Sequence, residues 1–271
     1  MEDLVFSLRG VSKRRPGAEG FHLRLTAFDL PRGRLLALAG PSGCGKSTAL
    51  DLLACVLKPD MAGPGRTGQT VAKADLCAEH APDAPEAATR FVFSPVPEHK
   101  TDVLAAWKSG DTDRLASLRL RHLGYVLQTG GLLPFLSARE NILLRCKSLG
   151  IAEQRREAIA DLTARLGITH LLAHYPATLS VGERQRVAVA CALAHGPGVV
   201  LADEPTAALD PLHARAVLDL FGELAREMGI SMIMVTHNAD MAQAAGFTVA
   251  RVAVQPRADG IAARIDYAGQ D

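Results

Sequence analysis

The sequence predicts an α/β fold built around a parallel sheet, and three observations carry that prediction. Three runs, Arg34–Ala39, Val199–Ala202 and Ser231–Val235, are apolar with little alternation, as strands covered on both faces are. Segments of helical periodicity lie between them, so each strand is followed by a crossover. A glycine-rich loop at 40–45 hands the first of these strands directly to a helix.

Taken in chain order, residues 4–8 and 21–30 alternate apolar and polar side chains through Phe21, Leu23, Leu25, Phe28 and Leu30, the pattern of half-buried antiparallel strands. Pro31-Arg32-Gly33 is a turn, and the helix from Lys46 carries Leu50, Leu53, Ala54 and Leu57 on one side. From Pro59 to about Lys100 the chain is rich in Ala, Pro, Gly and Asp. That composition predicts an irregular insertion at about 60–100 holding one strand, Arg90–Phe93. A polar helix at about 101–121, a strand at 123–127 and helices at 139–149 and 152–166 follow. A helix at 183–195 precedes the second buried strand, and helix 212–228 repeats Val217, Phe221, Leu224 and Met228 at helical spacing. Two weak strands, Thr248–Val254 and Ile261–Ile265, are expected to add an edge to the parallel sheet. The whole chain, 1–271, reads as a single domain.

Composition narrows the class. The 271 residues, 48% hydrophobic and 22% charged, suffice for one α/β domain with a sizeable core. A net charge of +1 gives no global field to recruit nucleic acid or an anionic membrane. No apolar run approaches the roughly 18 residues of a membrane span, and Met1-Glu2-Asp3 leads into a strand without a signal-peptide core. A cytoplasmic protein that meets a membrane only through a partner is expected. The five cysteines (Cys44, Cys55, Cys77, Cys146, Cys191) form no C-x-x-C pair. Cys77-Ala78-Glu79-His80 has metal-ligand spacing but no second pair, so reduced thiols are expected.

Two motifs carry the chemistry. Gly40-Pro41-Ser42-Gly43-Cys44-Gly45-Lys46-Ser47-Thr48 satisfies G-x-x-x-x-G-K-[ST] in the strand–loop–helix setting that pattern requires. Glycines let backbone N–H groups close around phosphates, and the helix N-terminus adds its positive end. Lys46 is placed to reach the β- and γ-phosphates of ATP, and the Ser47 hydroxyl to ligate Mg²⁺. The apolar strand Val199–Ala202 then delivers Asp203 and Glu204 from its carboxyl end. Adjacent carboxylates at a buried strand end are costly without a cation, so Asp203 is the expected Mg²⁺ residue and Glu204 the general base.

Leu179-Ser180-Val181-Gly182-Glu183-Arg184-Gln185-Arg186 resembles the signature of the ABC transporter ATP-binding subunits, usually L-S-G-G-Q-x-Q-R. Ala202–Asp210 (A-D-E-P-T-A-A-L-D) is similar to that family's Walker B and D-loop, Gln128 to its Q-loop glutamine and His237 to its switch histidine. These elements run in the family's order from about residue 4 to 254. Residues 132–142 and 201–210 look most like the MacB- and LolD-like subfamily.

The resemblance implies a P-loop NTPase domain of ABC type, with a parallel core sheet, an antiparallel β subdomain and a helical signature subdomain at about 128–195. It also implies a homodimer packed head to tail around ATP. In that arrangement Ser180, Val181, Gly182, Glu183 and Asp210 of one copy contact the nucleotide on the other copy's P-loop. Gln128 would join Ser47 and Asp203 at Mg²⁺, and His237 would sense the γ-phosphate. An integral membrane permease is the implied partner, received after Gln128 by Leu132, Leu133, Phe135 and Leu136 (residues that could equally be core).

The sequence departs from the family in four places. Val181 replaces the first signature glycine, and Glu183 replaces the glutamine. The adenine contact lacks its usual aromatic, leaving Arg15 stacking by its guanidinium plane, Phe21, or a barely stacked base. Gln128 follows Lys46 by 82 residues, several tens more than the family usually has. The competing class, a soluble ABC ATPase acting on nucleic acid or the ribosome, would bring duplicated cassettes, a coiled coil or a basic arm. None is present in the sequence, and intact Lys46, Asp203, Glu204 and His237 argue against a degenerate cassette.

Overall fold

The apolar runs become strands of two sheets in the computed structural model, which describes residues 3–14, 20–60, 89–257 and 260–269. The chain opens with antiparallel β1 (Leu4–Arg14) and β2 (Phe21–Pro31), followed by β3 (Leu35–Ala39) and α1 (Lys46–Leu53). Next come β4 (Arg90–Val96), β5 (His99–Asp102), α2 (Val103–Ser109), α3 (Thr112–His122) and β6 (Leu123–Val126). A helical block follows, α4 (Ala138–Ser148), α5 (Arg156–Arg165) and α6 (Val181–Leu193). The rest is β7 (Val199–Asp203), α7 (Pro211–Glu227), β8 (Ser231–Thr236), α8 (Ala239–Ala244), β9 (Thr248–Arg251), β10 (Ala253–Arg257) and β11 (Gly260–Ala268).

The five-stranded sheet, in order β6-β7-β8-β3-β9, is parallel throughout. Period-two alternation puts its residues into two cores. Leu36, Leu38, Val199, Leu201, Ile233 and Val235 face α1 and the other sheet, where Phe6 stacks on Phe93 at 4.6 Å. Leu35, Ala37, Val200, Ala202, Met232 and Met234 face α4, α5, α6 and α7. Coverage on both faces is why these strands carry no polar alternation.

The six-stranded sheet, in order β10-β11-β2-β1-β4-β5, corrects two expectations. The strand expected at Arg90–Phe93 is β4, but a second strand, β5 over 99–102, makes the expected single strand one too few; residues 61–88 lie outside the described residues. Ile261–Ile265 lies in β11, which does not edge the parallel sheet but pairs with β2, Ile261 opposite Phe21. Only β9 adds the expected edge, beside β3. The helix expected at 101–121 is two helices, split by Gly110 in the left-handed conformation (φ 71°) with Asp111 capping the second.

Candidate functional site

The loop after β3 turns back over the start of α1, because Gly43 (φ 77°) and Gly45 (φ 91°) take backbone angles that a side chain disfavours. A Cβ on Gly45 would lie 2.4 Å from Cζ of Phe21, so ring and loop are in close contact. Lys46 is buried at 5% exposure. Its Nζ donates to the Gly40 and Pro41 carbonyls at 2.8 and 3.0 Å. Those bonds hold the ammonium over the loop.

β7 delivers its acids at the same point. The Ser47 hydroxyl donates to Oδ1 of Asp203 at 3.1 Å, bringing two hard oxygen donors together. Glu204 has φ 43°, a rare angle for a residue with a side chain, and its N–H donates to the Val235 carbonyl at 3.1 Å. That backbone directs its carboxylate between an ammonium and an imidazole. Oε1 lies 3.8 Å from Nζ of Lys46, and Oε2 3.5 Å from Nδ1 of His237 at the end of β8. Three segments far apart in sequence thus meet at one carboxylate.

Phe21, Ser42, Gly43, Gly45, Lys46, Ser47, Thr48, Gln128, Glu204 and Ile261 line an open pocket of about 490 Å³. Gln128, predicted from sequence, is therefore in the site. Ile261 was not predicted. Its signal is tertiary, since it reaches the pocket by pairing with Phe21 across the β2–β11 ladder. Arg15 and Cys77 lie outside the described residues. The other four cysteines are free thiols, and burial pushes Cys55 and Cys191 up to about 12.

Ser180, Val181, Gly182, Glu183 and Asp210 do not line this pocket. α6 begins at Val181, two residues before the expected start, because Ser180 caps it. The Ser180 hydroxyl accepts from the Glu183 N–H at 3.3 Å, and Glu183 Oε2 accepts from the Ser180 N–H at 2.7 Å. This reciprocal box holds the Glu183 carboxyl below its usual range, the Ser180 N–H being the largest cause. Asp210 caps α7, accepting from the Leu212 and His213 N–H groups at 3.2 Å, and lies 2.6 Å from Nδ1 of His213.

The residues present suit a magnesium ion: a hydroxyl and a carboxylate converge beside an open, phosphate-sized cradle, the sparse oxygen set that Mg²⁺ accepts when phosphate and water complete its shell.

Comparison with known proteins agrees with this geometry. Residues 23–207 match the ABC transporter family. The lipoprotein-releasing system ATP-binding protein LolD of Idiomarina loihiensis is 38% identical over 220 residues, covering 80% of this chain and 79% of LolD. The macrolide export ATP-binding/permease protein MacB of Rhodopseudomonas palustris is 34% identical over 238 residues, covering 87% of this chain but only 31% of MacB. Among solved structures, the dimeric post-hydrolysis state of the ATP-binding cassette MJ0796 bound to ADP and Pi superposes with a TM-score of 0.66 at 27% identity. That match covers 91% of this chain and 93% of the other.

Proposed function

The chain belongs to the ABC transporter family as an ATP-hydrolysing subunit, and from that premise we propose the residues that do the work and the partner they drive. The observation that carries the proposal is that Lys46, Ser47 and Glu204 line one pocket, with Asp203 against Ser47 and His237 against Glu204 just outside its lining. ATP lies with its phosphates in the 40–48 loop and its base toward Phe21 and Ile261. Lys46 exchanges its two carbonyl bonds for the β- and γ-phosphate oxygens. Glu204 accepts the proton of the attacking water, and His237 orients the γ-phosphate beside it. Ser47, Asp203 and Gln128 would hold Mg²⁺, which would supply charge neutralisation on the phosphates.

The site is completed by a second copy of the chain, packed head to tail. Ser180 and the Gly182 backbone then reach the γ-phosphate from the N-terminus of the partner's α6, a ready anion site. The match to dimeric cassettes supports this arrangement.

We assign the permease contact to the loop before α4. Phe135 is 71% exposed there, and Leu127 46%, while Leu132 packs into the helical core. The loop is stapled by Asn141, which accepts from the Leu133 N–H at 2.8 Å and donates to the Leu133, Leu136 and Ser137 carbonyls. A rigid loop presenting an apolar side chain suits docking on a membrane subunit. No described helix is long and apolar enough to cross a membrane. The likeness to MacB, an ATP-binding/permease protein, supports a membrane partner of that kind.

The test is fractionation of cells making the chain with its native membrane proteins. The wild type should sediment with membranes, and Phe135→Asp should move to the soluble fraction with ATP binding unchanged. A wild type that stays wholly soluble contradicts the proposal.

A further inference from the structure

The fold places a second concavity, of about 420 Å³, between β5 and one face of α3. His99 and Lys100 line it from the strand, and Arg114, Arg121 and His122 from the helix. Helix positions 114, 121 and 122 are separated by seven and eight residues, so they share a face. The His99 and His122 rings are 6.3 Å apart between centroids. Glu98 is the single carboxylate in the lining. β5 is the outer strand of its sheet, paired only with β4.

This excess of positive charge is local, because the whole chain carries only +1. Among the described residues no carboxylate comes within ion-pair distance of Lys100, Arg114 or Arg121. Asp3, whose charge Lys100 feels, is already bonded to Arg32. Helix electrostatics explain only part of the set. Arg121 and His122 are in the last turn of α3, where cations complement the carbonyl end. Arg114 is in the first turn, where the same dipole disfavours it, and His99 and Lys100 come from another element. Burial, followed by His99 and Arg121, lowers the pKa of His122.

We infer that this concavity is a second anion site, outside the nucleotide pocket, for a phosphate-bearing ligand. Two guanidinium groups and an ammonium around one hollow suit the several oxygens of a phosphate, which planar guanidinium groups grip in pairs. A concave wall also concentrates the field at its centre. Such a phosphate has two sources, a soluble polyphosphate or the headgroup of an anionic lipid. The inference does not rest on the nucleotide-site assignments, since no residue is shared between the two pockets.

The full chain, saturated with ADP to occupy the first pocket, is titrated with inorganic tripolyphosphate by calorimetry while the imidazole proton resonances of His99 and His122 are followed. In parallel it is sedimented with phosphatidylglycerol and with phosphatidylcholine vesicles. The site predicts saturable binding in at least one arm: tripolyphosphate with shifts of both histidines identifies a soluble ligand, and phosphatidylglycerol alone identifies a headgroup. The double variant Arg114→Ser/Arg121→Ser should weaken that binding at least tenfold, keep the wild-type circular dichroism spectrum and retain ATP hydrolysis. Absence of binding in both arms, or equal binding by the double variant, overturns the inference.

Discussion

Ser180 and Glu183 close on each other at the start of α6, the Glu183 carboxylate accepting the Ser180 N–H at 2.7 Å. The glutamate that departs from the family pattern is thereby pinned along its own helix. A glutamine would make the same bond, so the replacement preserves the local geometry. What changes is charge, one carboxylate close to where the proposed dimer would bring its partner's γ-phosphate.

Ser180→Ala removes the hydroxyl of the box. It should cost about 1 kcal/mol of stability, the usual worth of an N-cap, and should lower ATP turnover of the complete complex far more than that cost implies. Denaturant midpoints beside ATPase rates separate the two effects. Unchanged turnover would remove Ser180 from the phosphate contact.

Gly45→Ala tests the cradle. The new Cβ would meet Phe21 at 2.4 Å, in a backbone region that costs a side chain roughly 1–2 kcal/mol. ATP binding, measured by calorimetry, should weaken more than tenfold. Adding Phe21→Ala relieves the clash but not the backbone strain or the lost apolar wall, so it should recover only part of the folding stability and none of the affinity.

His195, just beyond α6, is buried, and burial followed by the nearby Arg145 holds its pKa down to about 3. The unfolded chain has the ordinary value near 6.5, so below that pH the unfolded state binds the extra proton. The stabilising contribution is full above 6.5 and is lost as pH falls toward 3, with a slope approaching about 1.4 kcal/mol per pH unit. His195→Gln should flatten the change in urea midpoint between pH 7 and pH 5. An identical change in both proteins would contradict this origin.

Much of this was legible in the sequence where the chemistry is local. The 40–48 loop, Asp203, Glu204 and His237 were placed by motifs, because a phosphate cradle and a strand-end acid need specific neighbours in the chain. The destination of Ile261 was not legible, since its partner Phe21 is chosen by sheet packing across the whole chain. The strand β5 was hidden in His99-Lys100-Thr101-Asp102, a polar edge with little apolar alternation. The division between α2 and α3 did leave a trace, Gly110-Asp111, a C-terminal glycine followed by a capping aspartate. The start of α6 at Val181, two residues early, was equally readable, since Ser180-x-x-Glu183 is a capping box.

Glu204, set between Lys46 and His237, is proposed as the base that ends the life of an ATP-bound dimer. The direct measurement is the molar mass of Glu204→Gln with Mg²⁺ and ATP, by light scattering, alone and with its membrane partner in detergent. The variant should form a stable dimer that retains ATP and hydrolyses it about a hundredfold more slowly than the wild type, or slower still. A variant that remains monomeric in both settings, or that hydrolyses ATP at the wild-type rate, would contradict it.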